Sequence, residues 1–140
     1  MRLFVLTLVV ALAGCGEASP RIEVSDAWAR ATAPGQTGGA IYATIVNDGG
    51  ADELVGVSTG AGNAMLHSNE SVDGVARMRM MAALPVPARS RVTLAPGAVH
   101  VMLGGLKAPL AAGSSFPATF TFAKSGARTV EVAVVAAGSR

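Results

Sequence analysis

The stretch that decides the fold spans residues 65–81 and reads MLHSNESVDGVARMRMM. Its centre, Asp73-Gly74, is a strong signal for a two-residue turn between antiparallel strands. With these two residues in the turn, His67 lies opposite Met80, and both side chains project from the same face. The stretch therefore predicts a β-hairpin that carries an imidazole and thioethers on one side.

The hairpin offers more than one thioether as a partner for the imidazole. In the same register Asn69 lies opposite Met78. Met65 precedes His67 by two residues and shares its face. Met80 is placed as well as Met78, so the strand spacing alone does not choose between them.

Short candidate strands continue on both sides of the hairpin, separated by Gly- and Pro-containing turns. The chain is mostly β in pattern from Ile22 onward, and the segment from Asp26 to Arg30 is interpreted as an edge strand. Pro85 and Pro87 indicate an extended connection. The further candidate strands are residues 39–46, 54–58, 91–94, 99–103, 116–122 and 129–135. Many short strands without a long amphipathic helix predict an all-β sandwich or barrel.

The two histidines of the chain belong to a spaced pattern with two methionines. His67, Met78, His100 and Met102 follow H-x10-M-x21-H-x-M. Imidazole with thioether suits soft Cu(I) and suits Mg, Ca or Mn poorly, whereas zinc more usually recruits Cys or carboxylate beside His. The pattern predicts a site for monovalent copper. At this level a structural alternative stays open, because methionine is also a common core filler.

The first residues predict an export signal with a lipid attachment site. A short apolar run follows Met1-Arg2 and leads into Leu12-Ala13-Gly14-Cys15, which resembles the lipobox of bacterial lipoproteins. In that class the chain is cut before the Cys, which carries the lipid. We expect a signal peptide over residues 1–14, a lipidated tether over 15–21 and one domain over 22–140. The apolar run is too short to span a bilayer well.

Composition and charge exclude several classes of protein. The chain has 11 Lys and Arg against 9 Asp and Glu, without a basic cluster, and a single Trp and Tyr offer no platform for bases, so we expect no nucleic-acid partner. Cys15 is the one cysteine; once lipidated, it cannot form a disulfide or supply the thiolate of a blue-copper site. The acidic residues form no evident catalytic pair, and we expect no enzyme.

The chain resembles the periplasmic copper chaperone A (PCuAC) family, the chaperones of the copper A centre of cytochrome c oxidase. The motif of that family is H-x10-M-x21-H-x-M, and it is met here by the four residues His67, Met78, His100 and Met102. The similarity covers roughly residues 24–135. The flanking segments that also match are 26–31, 74–75, 84–87, 94–97, 100–103 and 105–106.

The resemblance implies a fold and a set of ligands. The expected fold is a cupredoxin-like Greek-key β-sandwich or barrel. The implied metal ligands are His67, Met78, His100 and Met102, which selects Met78 over Met80. The other two thioethers on the hairpin face, Met80 and Met65, are left as auxiliary ligands.

The resemblance also implies a function, which is that of an extracytoplasmic Cu(I) metallochaperone delivering copper to a respiratory oxidase. The expected partners are a copper ion, oxidase subunit II, a thiol-containing copper chaperone and a membrane reached through the lipid. The expected location is the periplasm or cell envelope, with the outer membrane favoured because Gly16 follows Cys15. Residues 136–140 lack the His/Met-rich tail with which some members bind a further copper ion. The alternatives are a copper-tolerance or storage protein and a metal-free adhesion or assembly lipoprotein.

Overall fold

The structure, a computed structural model, describes residues 16–140. The expected signal peptide and the lipidation site at Cys15 lie outside the described residues. Within the described range there is no helix with the length and apolar character needed to cross a bilayer. The strands are β1 (Ile22–Arg30), β2 (Gly39–Asn47), β3 (Asp52–Thr59), β4 (Asn63–Val72), β5 (Val75–Met80), β6 (Leu84–Val86), β7 (Ser90–Leu94), β8 (His100–Gly104), β9 (Ser115–Phe122) and β10 (Gly126–Val135).

These strands form one mixed sheet around a single apolar core. The order of neighbours is β5-β4-β8-β2-β1-β10-β9-β3-β6, and β7 pairs with β2. The pairing of β1 with β10 is parallel, and the other pairings between residues 16 and 140 are antiparallel. One edge of β2 pairs first with β8 and then with β7, which allows the sheet to curl over its core. The prediction of an all-β domain is confirmed.

The core fixes the direction in which β8 presents its side chains. Val101 and Leu103 are fully buried, and they join the same apolar cluster as Phe120. Because alternate residues of a strand point to opposite faces, His100 and Met102 are turned away from this cluster. Burial of the two aliphatic side chains therefore holds the two candidate ligands on the other face.

The interpretation of β1 as an edge strand is wrong, because β1 lies inside the sheet between β2 and β10. Asp26 has a φ of 48°, and the register with β2 shifts between Ser25 and Trp28. These features mark a β-bulge, which redirects the side chains that follow it. After the bulge, residues 27–29 are all buried, and the Trp28 ring lies 4.5 Å from the Tyr42 ring between centroids.

The polar segment before β1 is attached to the turn that follows β2. Gly50 donates its N–H to the carbonyl oxygen of Ser19 at 3.1 Å. A Cβ atom at Gly50 would collide with the carbonyl of Ala18, and one at Gly49 would collide with that of Ser19. The two glycines are therefore needed for the close approach of the chain, and the segment contacts the domain from Ala18 onward.

Candidate metal centre

The hairpin of β4 and β5 has the predicted register. Val72 pairs with Val75, and the two turn residues Asp73-Gly74 have φ values of 52° and 76°. Two positive φ angles are what this type of two-residue hairpin turn requires. His67 pairs with Met80, as the turn predicts. Local turn chemistry therefore decides which side chains share the hairpin face.

The tertiary structure brings the two histidines together on neighbouring strands. His67 of β4 lies directly opposite His100 of β8, and Met65 lies opposite Met102. The two imidazole centroids are 6.1 Å apart, and the ring planes are inclined by 61°. Metal ions such as zinc bind imidazole nitrogen at about 2 Å, so an ion between the rings can contact both.

The hydrogen bonds of the two imidazoles fit metal binding. His100 is 6% exposed, and its Nδ1 lies 2.9 Å from the carbonyl oxygen of Ala98. With the proton on Nδ1, this bond orients the ring and leaves Nε2 with a free lone pair. His67 Nδ1 is buried and has no hydrogen-bond partner among the described residues. Buried polar atoms normally have a partner, and a metal ion would supply one.

The proposed thioethers differ in which cleft they line. Met78 and Met102 line an open cleft of about 430 Å³ together with His100. Met80 lines a different cleft, although strand register places it next to His67. His67 does not line the cleft of about 430 Å³. It lies next to this cleft, because its ring neighbours the His100 ring, which does line it. The clefts therefore place Met78 with His100 and Met102, whereas strand register places Met80 with His67.

The candidate ligands also differ in exposure. Met78 is 57% exposed, and every residue of β5 is exposed. His100, by contrast, is buried on a strand whose alternate residues belong to the core. The candidate ligands therefore include a firmly held imidazole on β8 and a thioether on the exposed strand β5. Few packing contacts hold this thioether in place.

An aromatic wall and a cation adjoin the larger cleft. The Tyr42 ring lies 6.4 Å from the His100 ring between centroids, and it packs on Trp28. The Arg30 guanidinium lies 5.9 Å from the centroid of the Tyr42 ring and lines the cleft. Sequence reasoning missed Tyr42 and Arg30 as parts of the site. Strand alternation indicated their faces, but no local feature indicated that β2 would pair with β8.

The donor set of the site is soft. In the part of the chain that the structure describes, no three His, Cys, Asp or Glu side chains converge. The imidazoles are instead accompanied by thioethers from β5 and β8. Thioether and imidazole together favour Cu(I) over ions that prefer oxygen ligands.

Comparison with known sequences identifies a family. Residues 22–134 match the family described as putative lipoprotein LpqE-like. The chain is also similar to the putative lipoprotein Lxx21020 of Leifsonia xyli subsp. xyli. The two are 31% identical over 144 residues, which cover 93% of this chain and 86% of that protein.

Comparison with solved structures identifies copper-binding relatives. The copper-bound PCuAC domain from PmoF2 is similar with a TM-score of 0.69 and 30% identity, over 82% of this chain and 92% of that domain. The solution structure of Cu(I)-DR1885 from Deinococcus radiodurans is similar with a TM-score of 0.64 and 30% identity, over 88% of this chain and 83% of that protein. These likenesses confirm the predicted cupredoxin-like fold and the predicted resemblance to PCuAC domains.

Proposed function

Because the chain belongs to the LpqE-like family of putative lipoproteins and shares the PCuAC fold, we propose that it is a Cu(I) metallochaperone of the cell envelope. The observation that carries the proposal is the pairing of His67 with His100, next to a cleft lined by Met78 and Met102. Two of the solved relatives, the PCuAC domain from PmoF2 and DR1885, hold copper, which supports a copper-binding role; we propose no enzymatic activity for this chain.

Four neutral side chains hold the copper ion in this proposal: His67, Met78, His100 and Met102. The loaded site then keeps the single positive charge of the ion. Thioether ligands favour Cu(I) over Cu(II), so the protein carries copper in one redox state instead of cycling between two. This chemistry suits a carrier better than an electron-transfer protein.

Release of copper begins at the exposed end of the site. Met78 is 57% exposed on β5, whereas His100 is almost fully buried. An incoming thiolate or imidazole can replace the Met78 thioether while the histidines still hold the ion. Stepwise exchange of this kind would pass copper to a respiratory oxidase, with subunit II as the acceptor and a thiol-containing copper chaperone as the donor.

The cell-envelope location is part of the same proposal. A signal peptide over residues 1–14 would be removed, Cys15 would carry the lipid, and residues 15–21 would tether the domain at 22–140. The relative from Leifsonia xyli subsp. xyli is named a putative lipoprotein, which supports this arrangement. We propose the outer membrane as the anchoring membrane, since Gly16 follows Cys15.

Copper titration with ligand counting tests the proposed function. We expect one tightly bound Cu(I), coordinated by two nitrogen and two sulfur atoms in X-ray absorption spectra, and much weaker Cu(II) binding. His100→Ala should weaken Cu(I) binding by at least about 100-fold, because the loss of a ligand costs no less than the loss of its supporting hydrogen bond. A protein that binds no Cu(I), or binds it through oxygen alone, would contradict the proposal and favour a metal-free assembly role.

A further inference from the structure

A second group of thioethers lies beside the proposed copper site, and none of them is among its four proposed ligands. Met65, Met80 and Met81 line a cleft of about 180 Å³ where β3 approaches β4 and β5. The rest of the lining is aliphatic or glycine and consists of Val55, Gly56, Val57, Ala64 and Leu66. Among residues 16–140, the three sulfur atoms are therefore the only side-chain donor atoms in the lining of this cleft.

Two of these methionines are too exposed to be core fillers. Met65 is 39% exposed and Met80 is 66% exposed, although large apolar side chains are usually buried. Exposed thioethers cost hydrophobic stabilisation, because their apolar surface remains in water. Packing therefore does not explain why methionine occupies these positions.

The end of β5 allows consecutive residues to face one cleft. In a regular strand Met80 and Met81 would point to opposite faces. β5 ends at Met80, however, and Met81 instead donates its N–H to the carbonyl oxygen of Leu66 at 2.8 Å. Met81 is partly buried against the core, so the cleft has an anchored thioether as well as two exposed ones.

We propose that Met65, Met80 and Met81 form a second, weaker site for a soft monovalent ion, Cu(I) or Ag(I). Three thioethers without oxygen or nitrogen side chains select these ions against Mg²⁺, Ca²⁺ and Zn²⁺. The inference rests on the proposed function, since it assigns the same cargo to a neighbouring site. Binding is weaker than at the first site because one ligand fewer is available and an ion already bound next to it repels the second.

The position of the second site makes it a loading site for the first. Met80 pairs with His67 across the hairpin, and Met65 pairs with Met102 across β4 and β8. An ion held by Met80 can therefore exchange a thioether for the neighbouring imidazole without entering bulk water. Copper would arrive at the exposed thioethers and then move to the four-ligand site.

Titration with Ag(I), followed by NMR of protein labelled at the methionine ε-methyl groups, tests this inference. Ag(I) is a redox-silent substitute for Cu(I), and a methyl signal shifts when its own sulfur binds the ion. We expect the methyl signals of Met78 and Met102 to shift in the first equivalent. Those of Met65, Met80 and Met81 should shift in a second equivalent that binds at least about tenfold more weakly.

Two matched variants separate the sites. The triple variant Met65→Leu, Met80→Leu, Met81→Leu keeps side-chain volumes similar and should lose the second equivalent while the first binds within about threefold of the unchanged protein. The double variant His67→Ala, His100→Ala should keep the shifts of the three cleft methionines. Retention of the second equivalent in the triple variant overturns the inference and leaves the proposed function standing. The same follows if the three methyl signals shift neither in the unchanged protein nor in the double variant. No response of Met78 and Met102 in the first equivalent instead contradicts the proposed function.

Discussion

At the scale of single residues, the proposed copper site depends on how firmly each ligand is held. His100 is buried, hydrogen-bonded to the Ala98 carbonyl and adjacent to the Tyr42 ring. Met78 has none of this support, because it lies on a strand that is exposed throughout. The imidazole therefore supplies preorganisation, and the thioether supplies a ligand that can leave.

The choice between two neighbouring thioethers can be tested directly. Met78→Leu should weaken Cu(I) binding at the tight site by about tenfold or more, because it removes a ligand without removing bulk. Met80→Leu is the matched control on the same exposed strand and should change this affinity by less than about threefold. Competition with a Cu(I) chelator measures both. Equal losses would mean that Met80 is a ligand of the tight site.

Asp52 is a second residue whose environment is unusual. It is buried, and its carboxylate accepts hydrogen bonds from the Ser125 hydroxyl and from the N–H groups of Lys124, Ser125 and Glu53. Burial raises the pKa of Asp52, but the hydrogen bonds outweigh burial and hold the pKa below its ordinary value of 3.8. The carboxylate thereby ties the start of β3 to the turn between β9 and β10.

The lowered pKa of Asp52 predicts a loss of stability in acid. A carboxyl group with a lower pKa in the folded state stabilises the protein above its unfolded pKa, and this contribution disappears as the pH falls through the folded pKa. Asp52→Asn should lower the free energy of unfolding at pH 7 by about 1–3 kcal/mol and flatten its decline below about pH 4. Urea unfolding at several pH values measures this. The control Glu53→Gln, at an exposed neighbour, should leave stability at pH 7 nearly unchanged; an unchanged acid profile in Asp52→Asn would contradict the assignment.

At the scale of elements, the hairpin of β4 and β5 carries one half of the site and β8 carries the other. The hairpin turn positions Met78, whereas core burial of Val101 and Leu103 positions His100 and Met102. The two halves meet through the pairing of β4 with β8. A change in the hairpin turn should therefore displace the proposed ligand on β5 and leave those on β8 in place.

Gly74→Ala tests this division of the site. Gly74 has a φ of 76°, and a side chain in that conformation costs about 1 kcal/mol or more. The strained turn should misplace Met78 and weaken Cu(I) binding severalfold, while NMR signals of β8 stay unchanged. Gly126→Ala imposes similar strain in the turn between β9 and β10, where φ is 73°, and serves as the control. Equal effects of the two substitutions on copper affinity would argue against a specific role for the hairpin turn.

Another junction between elements depends on the side chain of Asn47. This residue is fully buried, and its amide donates to the carbonyl oxygens of Gly50 and Pro87 at 2.7 and 3.1 Å. Its side-chain oxygen accepts from the N–H groups of Gly49 and Arg21 at 3.0 and 3.2 Å. The Asn47 side chain therefore links the end of β2 to the segment before β1 and to the chain after β6. The turn signal in the sequence does not predict these hydrogen bonds.

At the scale of the whole molecule, few residues separate the proposed lipid attachment site, Cys15, from the segment that contacts the domain. The chain contacts the domain from Ala18 onward, and Ala18 is the third residue after Cys15. At about 3.5 Å per extended residue, a lipid on Cys15 would hold the domain within roughly 10 Å of the membrane surface. In this arrangement, the acceptor would have to present its copper site close to the bilayer.

Substitution of the lipid attachment site tests this arrangement. Cys15→Ser should release the protein into the soluble fraction or leave the signal peptide uncleaved, because no thioether-linked lipid can form. Gly16→Asp is the companion variant and should increase the share of protein in the inner membrane if the outer membrane is the normal destination. Membrane fractionation with intact-mass measurement follows both. Unchanged fractionation and mass in Cys15→Ser would contradict lipidation.

The sequence by itself determined the parts of this protein that depend on neighbouring residues. Asp73-Gly74 specified the hairpin register, and strand alternation separated His100 and Met102 from the buried Val101 and Leu103. The motif spacing and the family resemblance then indicated copper. The two structural inferences succeed because turn conformation and the two-residue period of a strand are local properties, whereas the copper site stays a prediction.

The tertiary structure alone decided which distant segments became neighbours. It paired β4 with β8, which placed His67 against His100. It also put β1 inside the sheet, added β6 in a Pro-containing connection, and gathered Met65, Met80 and Met81 in one cleft. Pairing between distant strands follows from burial of the whole core, and a local pattern does not specify which strand supplies the partner.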